Sequence, residues 1–246
     1  MLATGAVFAL SAGGAMAQHH GHMGHSMAAT PAQIAKAVAD PARTAEDKNR
    51  DVARKPGEMM AFAGVKPGDK VAELFPGGGY FTRVLSPLVG PKGKVYTGVQ
   101  PAELEKATAA AANSNVTPLP YTGADFKTPE PVDVVFTAQN YHDLHLKRFN
   151  LDVAAANKAL FDTLKPGGTL IVIDHVAATG APVEVADTLH RIDPAIVKKE
   201  VEAAGFVFEA ESGAIRNPAD DHAKAVFDPA IRGHTDQFVY RFKKPS

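Results

Sequence analysis

The chain has 246 residues, of which 45% are hydrophobic and 22% charged, with a formal net charge of -1 and no cysteine. This length supports a full core in one domain of ordinary to large size, and the composition excludes disorder throughout. The near-zero charge excludes a broad nucleic-acid surface, and the lack of cysteine excludes thiol nucleophiles, disulfides and Cys-based zinc sites.

The first seventeen residues stand apart. Residues 2–10 are apolar and small, and Ala15-Met16-Ala17 before Gln18 fits an A-x-A cleavage site, although no Lys or Arg precedes the apolar run. A secretory signal peptide over residues 1–17 is expected, and with it a periplasmic or secreted location. Residues 18–30 read as a His-rich flexible tail, carrying His19, His20, His22 and His25. Imidazole and thioether groups suit a soft or borderline metal, but one short tract has nothing to fix ligand geometry. No metal site is assigned. A wider metal reading would join the tract to His142, His145 and His175.

Residues 31–64 predict an N-terminal helical cap. A short helix over 32–38 stops near Asp40-Pro41, and Thr44 caps a second helix that ends near Lys55-Pro56. Pro56 suits the first turn of a third helix, which Gly64 closes. The charges of this region, Arg50, Asp51, Arg54 and Lys55, read as a solvated face.

Residues 65–246 alternate strand and helix. Strands are expected at 70–75, 94–99, 116–121, 132–137, 169–174, 206–211 and 236–242, with Pro118 and Pro120 pushing the third toward an edge. Helices are expected at 79–88, 101–112, 151–164 and 194–204. Residues 212–234 read as an extended loop with a short helix. This alternation predicts an α/β fold with a mostly parallel sheet covered on both faces. Right-handed crossovers then place the loops after the strands along one edge, where ligands of such sheets sit.

The first such loop follows a strand ending in Glu73-Leu74-Phe75 and holds Gly77, Gly78 and Gly79 before a helix. Glycines there let backbone come close to a ligand. Gln100 follows the second strand. The fourth is followed by Ala138-Gln139-Asn140-Tyr141-His142-Asp143-Leu144-His145, the densest polar cluster in the chain, and the fifth ends in Asp174 and His175. Histidine suits a general base near neutral pH, and a neighbouring carboxylate can orient it. The other reading is a polar loop capped by Asp143. His175 reads equally as a functional group and as a strand-end histidine satisfied by hydrogen bonds.

From about residue 66 to residue 242 the chain resembles a class I S-adenosylmethionine-dependent methyltransferase. The stretches VAELFPGGGYFTR, GKVYTGVQP, PVDVVFTAQNYHDL and LKPGGTLIVIDH carry the resemblance. More narrowly, the HDLH loop and His190-Arg191-Ile192-Asp193 resemble a group of exported bacterial methyltransferases. The resemblance implies a Rossmann-like, doubly wound, mostly parallel seven-stranded sheet and S-adenosylmethionine as cofactor. It assigns Glu73 to the methionine end of the cofactor, Gly77, Gly78 and Gly79 to the loop beneath it, and Asp125 and Phe126 to the region beside the adenine. Ala138 and Gln139 would line the floor near the sulfonium. The sequence departs from the family at two positions: Phe75 replaces the first glycine of the usual loop, and Gln100 replaces the carboxylate that holds the ribose.

Methyl transfer from a sulfonium neutralises charge, so the protein needs to hold the acceptor in line and remove its proton if it carries one. His142 is the candidate base, with Asp143 as orienter and Tyr141 shaping the pocket. His175, His190 and Arg191 would face the acceptor. A cationic Arg191 suits an anionic or phenolate acceptor, and its alternative is a salt bridge with Asp193. The reading is an exported enzyme acting on a small-molecule acceptor, with no nucleic-acid partner and no membrane span in the mature chain. Because such a cofactor is made in the cytoplasm, the alternative is a non-catalytic ligand-binding protein on the same scaffold.

Overall fold

Alternate residues of the central strands face two different cores, and this alternation builds the molecule. The computed structural model describes residues 1, 28–111 and 114–246, so the signal-peptide and His-rich-tail expectations fall almost entirely outside the described residues. Seven strands form one sheet: β1 (Lys70–Leu74), β2 (Lys94–Val99), β3 (Val116–Pro120), β4 (Val132–Ala138), β5 (Leu164–His175), β6 (Val207–Ser212) and β7 (Gln237–Lys243). Their order is β3-β2-β1-β4-β5-β7-β6. The neighbours from β3 to β5 are parallel, while β7 is antiparallel to both β5 and β6. The sheet is therefore mixed.

Helices cover both faces. On one side Val71, Val134, Phe136, Ile171 and Ile173 pack with residues of α1 (Pro31–Val38), α4 (Pro56–Ala63) and α5 (Thr82–Val89). On the other, Ala72, Val135, Leu170 and Val172 pack with residues of α7 (Val153–Thr163) and α9 (Pro194–Ala203). Three shorter helices, α2 (Ala45–Asn49), α3 (Asp51–Arg54) and α8 (Val185–Leu189), and α6 (Leu104–Ala110) complete the described α-helices, and single 3-10 turns span Pro101–Glu103 and His142–His145. Among the described residues no helix is long and apolar enough to cross a membrane.

Local chemistry explains most boundaries. Thr30 and Thr44 each form a capping box, with Gln33 and Asp47 returning the bond. This satisfies helix N–H groups that would otherwise lack partners. Strand β3 lies at the sheet margin, where its two prolines cost no ladder bond to an outer neighbour. Helix α5 begins three residues later than the sequence predicts, because Gly77 and Gly79 hold φ of 55° and 77° and cannot join a right-handed helix. The expected turn at 165–168 is instead absorbed into β5, which starts at Leu164 and pairs with Val132 across an irregularity. Ser212 ends β6, and residues 213–234 form turns and irregular backbone with no helix among them.

Candidate functional site

Strand β1 has β2 on one side and β4 on the other, so the order reverses there, and ligands of such sheets bind outside the carboxyl ends of the strands at that point. Glu73 stands at that end. Two residues beyond Val71, it shares the face covered by α5 and the N-terminal helices. Its carboxylate is buried and accepts a hydrogen bond from Thr82 Oγ1 at 2.5 Å. Burial pushes the carboxyl up to about 7, against the opposing pull of that bond and of Arg54.

After Glu73 the chain makes the glycine turn. Phe75 takes φ 47°, so the backbone keeps a glycine-like conformation despite the side chain. The phenyl ring turns onto Tyr121, with centroids 4.6 Å apart. The space enclosed by Leu74, Phe75, Tyr121, Thr137 and Asn140 is about 10 Å³, no more than a single water needs. The open side of the turn lies elsewhere: a Cβ on Gly77 or Gly78 would meet nothing within 4 Å.

Arg54, the last residue of α3, reaches the same edge. Its guanidinium lies 4.7 Å from the Tyr80 ring centroid and donates to Gln139 Oε1. Burial and the neighbouring Arg50 lower it to about 10. Gln139, at φ 64° just after β4, also donates from Nε2 to Gln237 Oε1 at 2.8 Å. The solvated-face expectation holds for the exposed Arg50 but fails for two of its residues: Arg54 points inward, and Asp51 binds Arg43 and accepts from Tyr80 at 2.6 Å; nearby, Asp47 takes Arg83 through two bonds of 2.6 and 2.8 Å. Asn140 ties the edge together by donating to the carbonyls of Leu74, Phe75 and Ala138.

The loop after β4 forms a second polar group. His142 is buried, and its Nδ1 lies 2.8 Å from Asp174 Oδ1 while its own N–H donates to Asp174 Oδ2 at 2.7 Å. Asp174 thus orients the ring, a role the sequence expectation gave to Asp143. Burial opposes charge on His142, but the Asp174 carboxylate outweighs it and raises the imidazole above its ordinary value. The same pairing, again against burial, lowers Asp174. Nε2 of His142 faces His190 Nδ1 at 3.3 Å and Asp143 Oδ1 at 3.5 Å.

Other expected residues lie differently. Tyr141 lines the small enclosed space with its ring, but its hydroxyl is held by Asn157 at 2.7 Å and Glu200 at 3.1 Å. His145 also turns to Glu200, at 3.1 Å. His175 Nδ1 bonds Thr235 Oγ1 at 2.7 Å, and burial lowers the ring to about 4, so it stays neutral. Phe126 is fully buried in the core, against Gly98. Gln100 and Asp125 are exposed, and Asp125 accepts from Thr122 Oγ1 at 2.8 Å.

Arg191 does not face an acceptor. It is fully buried, donating to the carbonyls of Val176 and Lys224 and pairing with Asp220 at 2.9 Å. Asp193, the partner foreseen for it, instead caps α9 and binds the N–H of Gly180. Arg191→Met is expected to destabilise the fold by about 3–5 kcal/mol, because Asp220 would remain buried without its cation. Urea denaturation measures this, and an unchanged midpoint would return Arg191 to a binding role.

Arg54, Asp174 and Asn140 are the residues that the sequence expectation left without a role. Asp174 carried one signal, a carboxylate ending an otherwise apolar strand.

The strand order, with β7 alone reversed, defines the class I methyltransferase fold, and comparison with solved structures agrees. The chain is similar to a SAM-dependent methyltransferase from Aquifex aeolicus, with a TM-score of 0.57 and 22% identity over 87% of this chain and 98% of that one. It is similar to the N-methyltransferase NodS from Bradyrhizobium japonicum WM9, with a TM-score of 0.56 and 14% identity over 82% and 98%. It is also similar to CrArsM, an arsenic(III) S-adenosylmethionine methyltransferase from Chlamydomonas reinhardtii, with a TM-score of 0.53 and 17% identity over 89% and 75%. No protein-family model and no curated protein matches the chain.

Proposed function

We propose that this protein is an exported S-adenosylmethionine-dependent methyltransferase acting on a small-molecule acceptor. The observation that carries the reading is Glu73, a buried carboxylate at the switch point with no cation in direct contact among the described residues and its carboxyl raised to about 7. Such a group gains most from an incoming ammonium. Arg54 lies close enough to act on it electrostatically. Together they complement the ammonium and carboxylate at the amino-acid end of the cofactor. The open face of Gly77 and Gly78 leaves room for close approach, and Gln100 and Asp125, which the resemblance assigns to the ribose and adenine ends, are exposed. When bound, the cofactor supplies an electrophilic methyl on sulfur.

The N-terminal helices act as a cap in this reading, since they deliver Arg54. His142 takes the acceptor's proton at Nε2, held by Asp174 at Nδ1. Export rests on the apolar residues 2–10 and on Ala15-Met16-Ala17.

Titration calorimetry of S-adenosylmethionine and S-adenosylhomocysteine into the folded chain tests the reading. Micromolar binding of either is the expected result. Absence of heat with both, at two temperatures, would overturn it and leave the fold serving a different ligand.

A further inference from the structure

Three side chains converge on one point beside the β4 and β5 ends. Among His142 Nε2, His190 Nδ1 and Asp143 Oδ1 the separations are 3.3, 3.5 and 3.9 Å. Two nitrogens that share a tetrahedral zinc ion at ordinary bond lengths lie about 3.3 Å apart. The first two separations match such an arrangement, and the third needs only a small rotation of the half-buried Asp143. With Asp174 accepting from Nδ1–H, the neutral ring of His142 presents a lone pair at Nε2. A carboxylate behind a histidine is also the arrangement that fixes the ring and strengthens it as a ligand. His190 is held in place by its left-handed backbone, φ 53°, and by the edge of its ring against Phe227 at 4.9 Å. The carboxylates of Asp143 and Asp174 bring negative charge to the point, against the positive charge of Arg148.

We propose that His142, His190 and Asp143 bind one divalent transition-metal ion of the Zn²⁺ class, with Asp174 holding His142 from behind. Three protein ligands leave an open coordination position, as in catalytic rather than structural zinc sites. An acceptor hydroxyl or thiol bound there would lose its proton to water and keep its lone pair on the donor atom. The ion would replace His142 as the group that activates the acceptor. Metal binding itself does not depend on the cofactor reading, since neither Glu73 nor Arg54 takes part.

Co²⁺ titration followed by visible absorption tests the site. The starting protein is the full chain with His19, His20, His22 and His25 changed to Ala, which removes competing imidazoles. One equivalent should bind with the absorption of a four-coordinate ion, and Zn²⁺ should displace it. Asp143→Asn and His190→Ala should each weaken binding by at least about 100-fold, and Asp174→Asn by about 10–100-fold. Circular dichroism melts confirm folding, and the near-isosteric Asp143→Asn carries the test if His190→Ala does not fold. Equal Co²⁺ binding by the starting protein and by Asp143→Asn would overturn the proposal. So would loss of all binding once the four tail histidines are replaced. Neither outcome bears on S-adenosylmethionine binding, which calorimetry reads separately.

Discussion

Replacing Glu73 by Gln should lower affinity for S-adenosylmethionine by about 10–100-fold at neutral to mildly alkaline pH, the range expected for a hydrogen bond to a charged group. The wild-type dependence on pH is the sharper test. The free carboxyl titrates at about 7, so an ammonium ligand must displace its proton at any lower pH. Affinity should fall about tenfold per pH unit on the acid side and level off above neutrality. Glu73→Gln should abolish that slope. Calorimetry in two buffers of different ionisation enthalpy should show close to one proton released per ligand near pH 6, and none for the variant. A flat wild-type affinity between about pH 5.5 and 7.5 would separate Glu73 from the ligand. Stability should move too. The folded carboxyl lies at about 7 against 4.5 for an unperturbed glutamate, so the native protein holds its proton more tightly in between. Stability therefore falls as pH rises from 4.5 towards 7 and stays low beyond. Glu73→Gln should be more stable than wild type above neutrality by roughly 3 kcal/mol, at 1.36 kcal/mol per pH unit, and no different in acid.

Asp174→Asn should produce the second large effect. Three donors converge on this carboxylate: the N–H of His142, the N–H of His175 and Nδ1 of His142. An amide offers one oxygen and presents its own N–H groups to the rest. Breaking a buried pair of this kind costs about 3–5 kcal/mol. The pH dependence follows from two opposite shifts. His142 is raised above 6.5, so its contribution is present below that value and is lost as pH climbs through the folded one. Asp174 is lowered below 3.8, so its contribution is present above that value and is lost as pH drops through the folded one. The gap between wild type and variant should be widest from about pH 4 to 6.5 and narrow on either side. In the variant, only the weaker pull of Asp143 opposes burial at His142, and its titration, followed by NMR at the imidazole Cε1, should move to lower pH. If His142 removes the acceptor's proton, turnover should fall by about 100–10,000-fold below the melting temperature. A stability gap that does not vary with pH would mean the pair is not ionised in the fold.

The sheet was legible because β1, β2, β4 and β5 are apolar runs bounded by Gly and Pro, and burial on both faces leaves that mark in a sequence. Glu73 was singled out through the family resemblance, and its burial at the end of β1 is what the structure adds. The partner of His142 was not, because Asp174 lies 32 residues away. Only the parallel register, in which Ala138 pairs with Ile173, brings the two strand ends together. Arg54 was misread because α3 has four residues, too few for a buried face to show as a period. Arg191 was misread because residue type does not separate a buried arginine with a carboxylate partner from one that meets a ligand. Its partner Asp220 sits in residues 212–234, which carry no periodicity at all.

Strand β7 lies between β5 and β6, although it follows both in the chain. Among the described residues β6 has no other sheet partner, so it cannot dock until residues 237–243 have been made. A chain emerging from its N-terminus therefore leaves β5 as an open edge until β7 has been made. Pairing across long sequence separations is intrinsically slow. Completion of the sheet therefore waits on β7, and a holdase that covers the β5 edge would delay it.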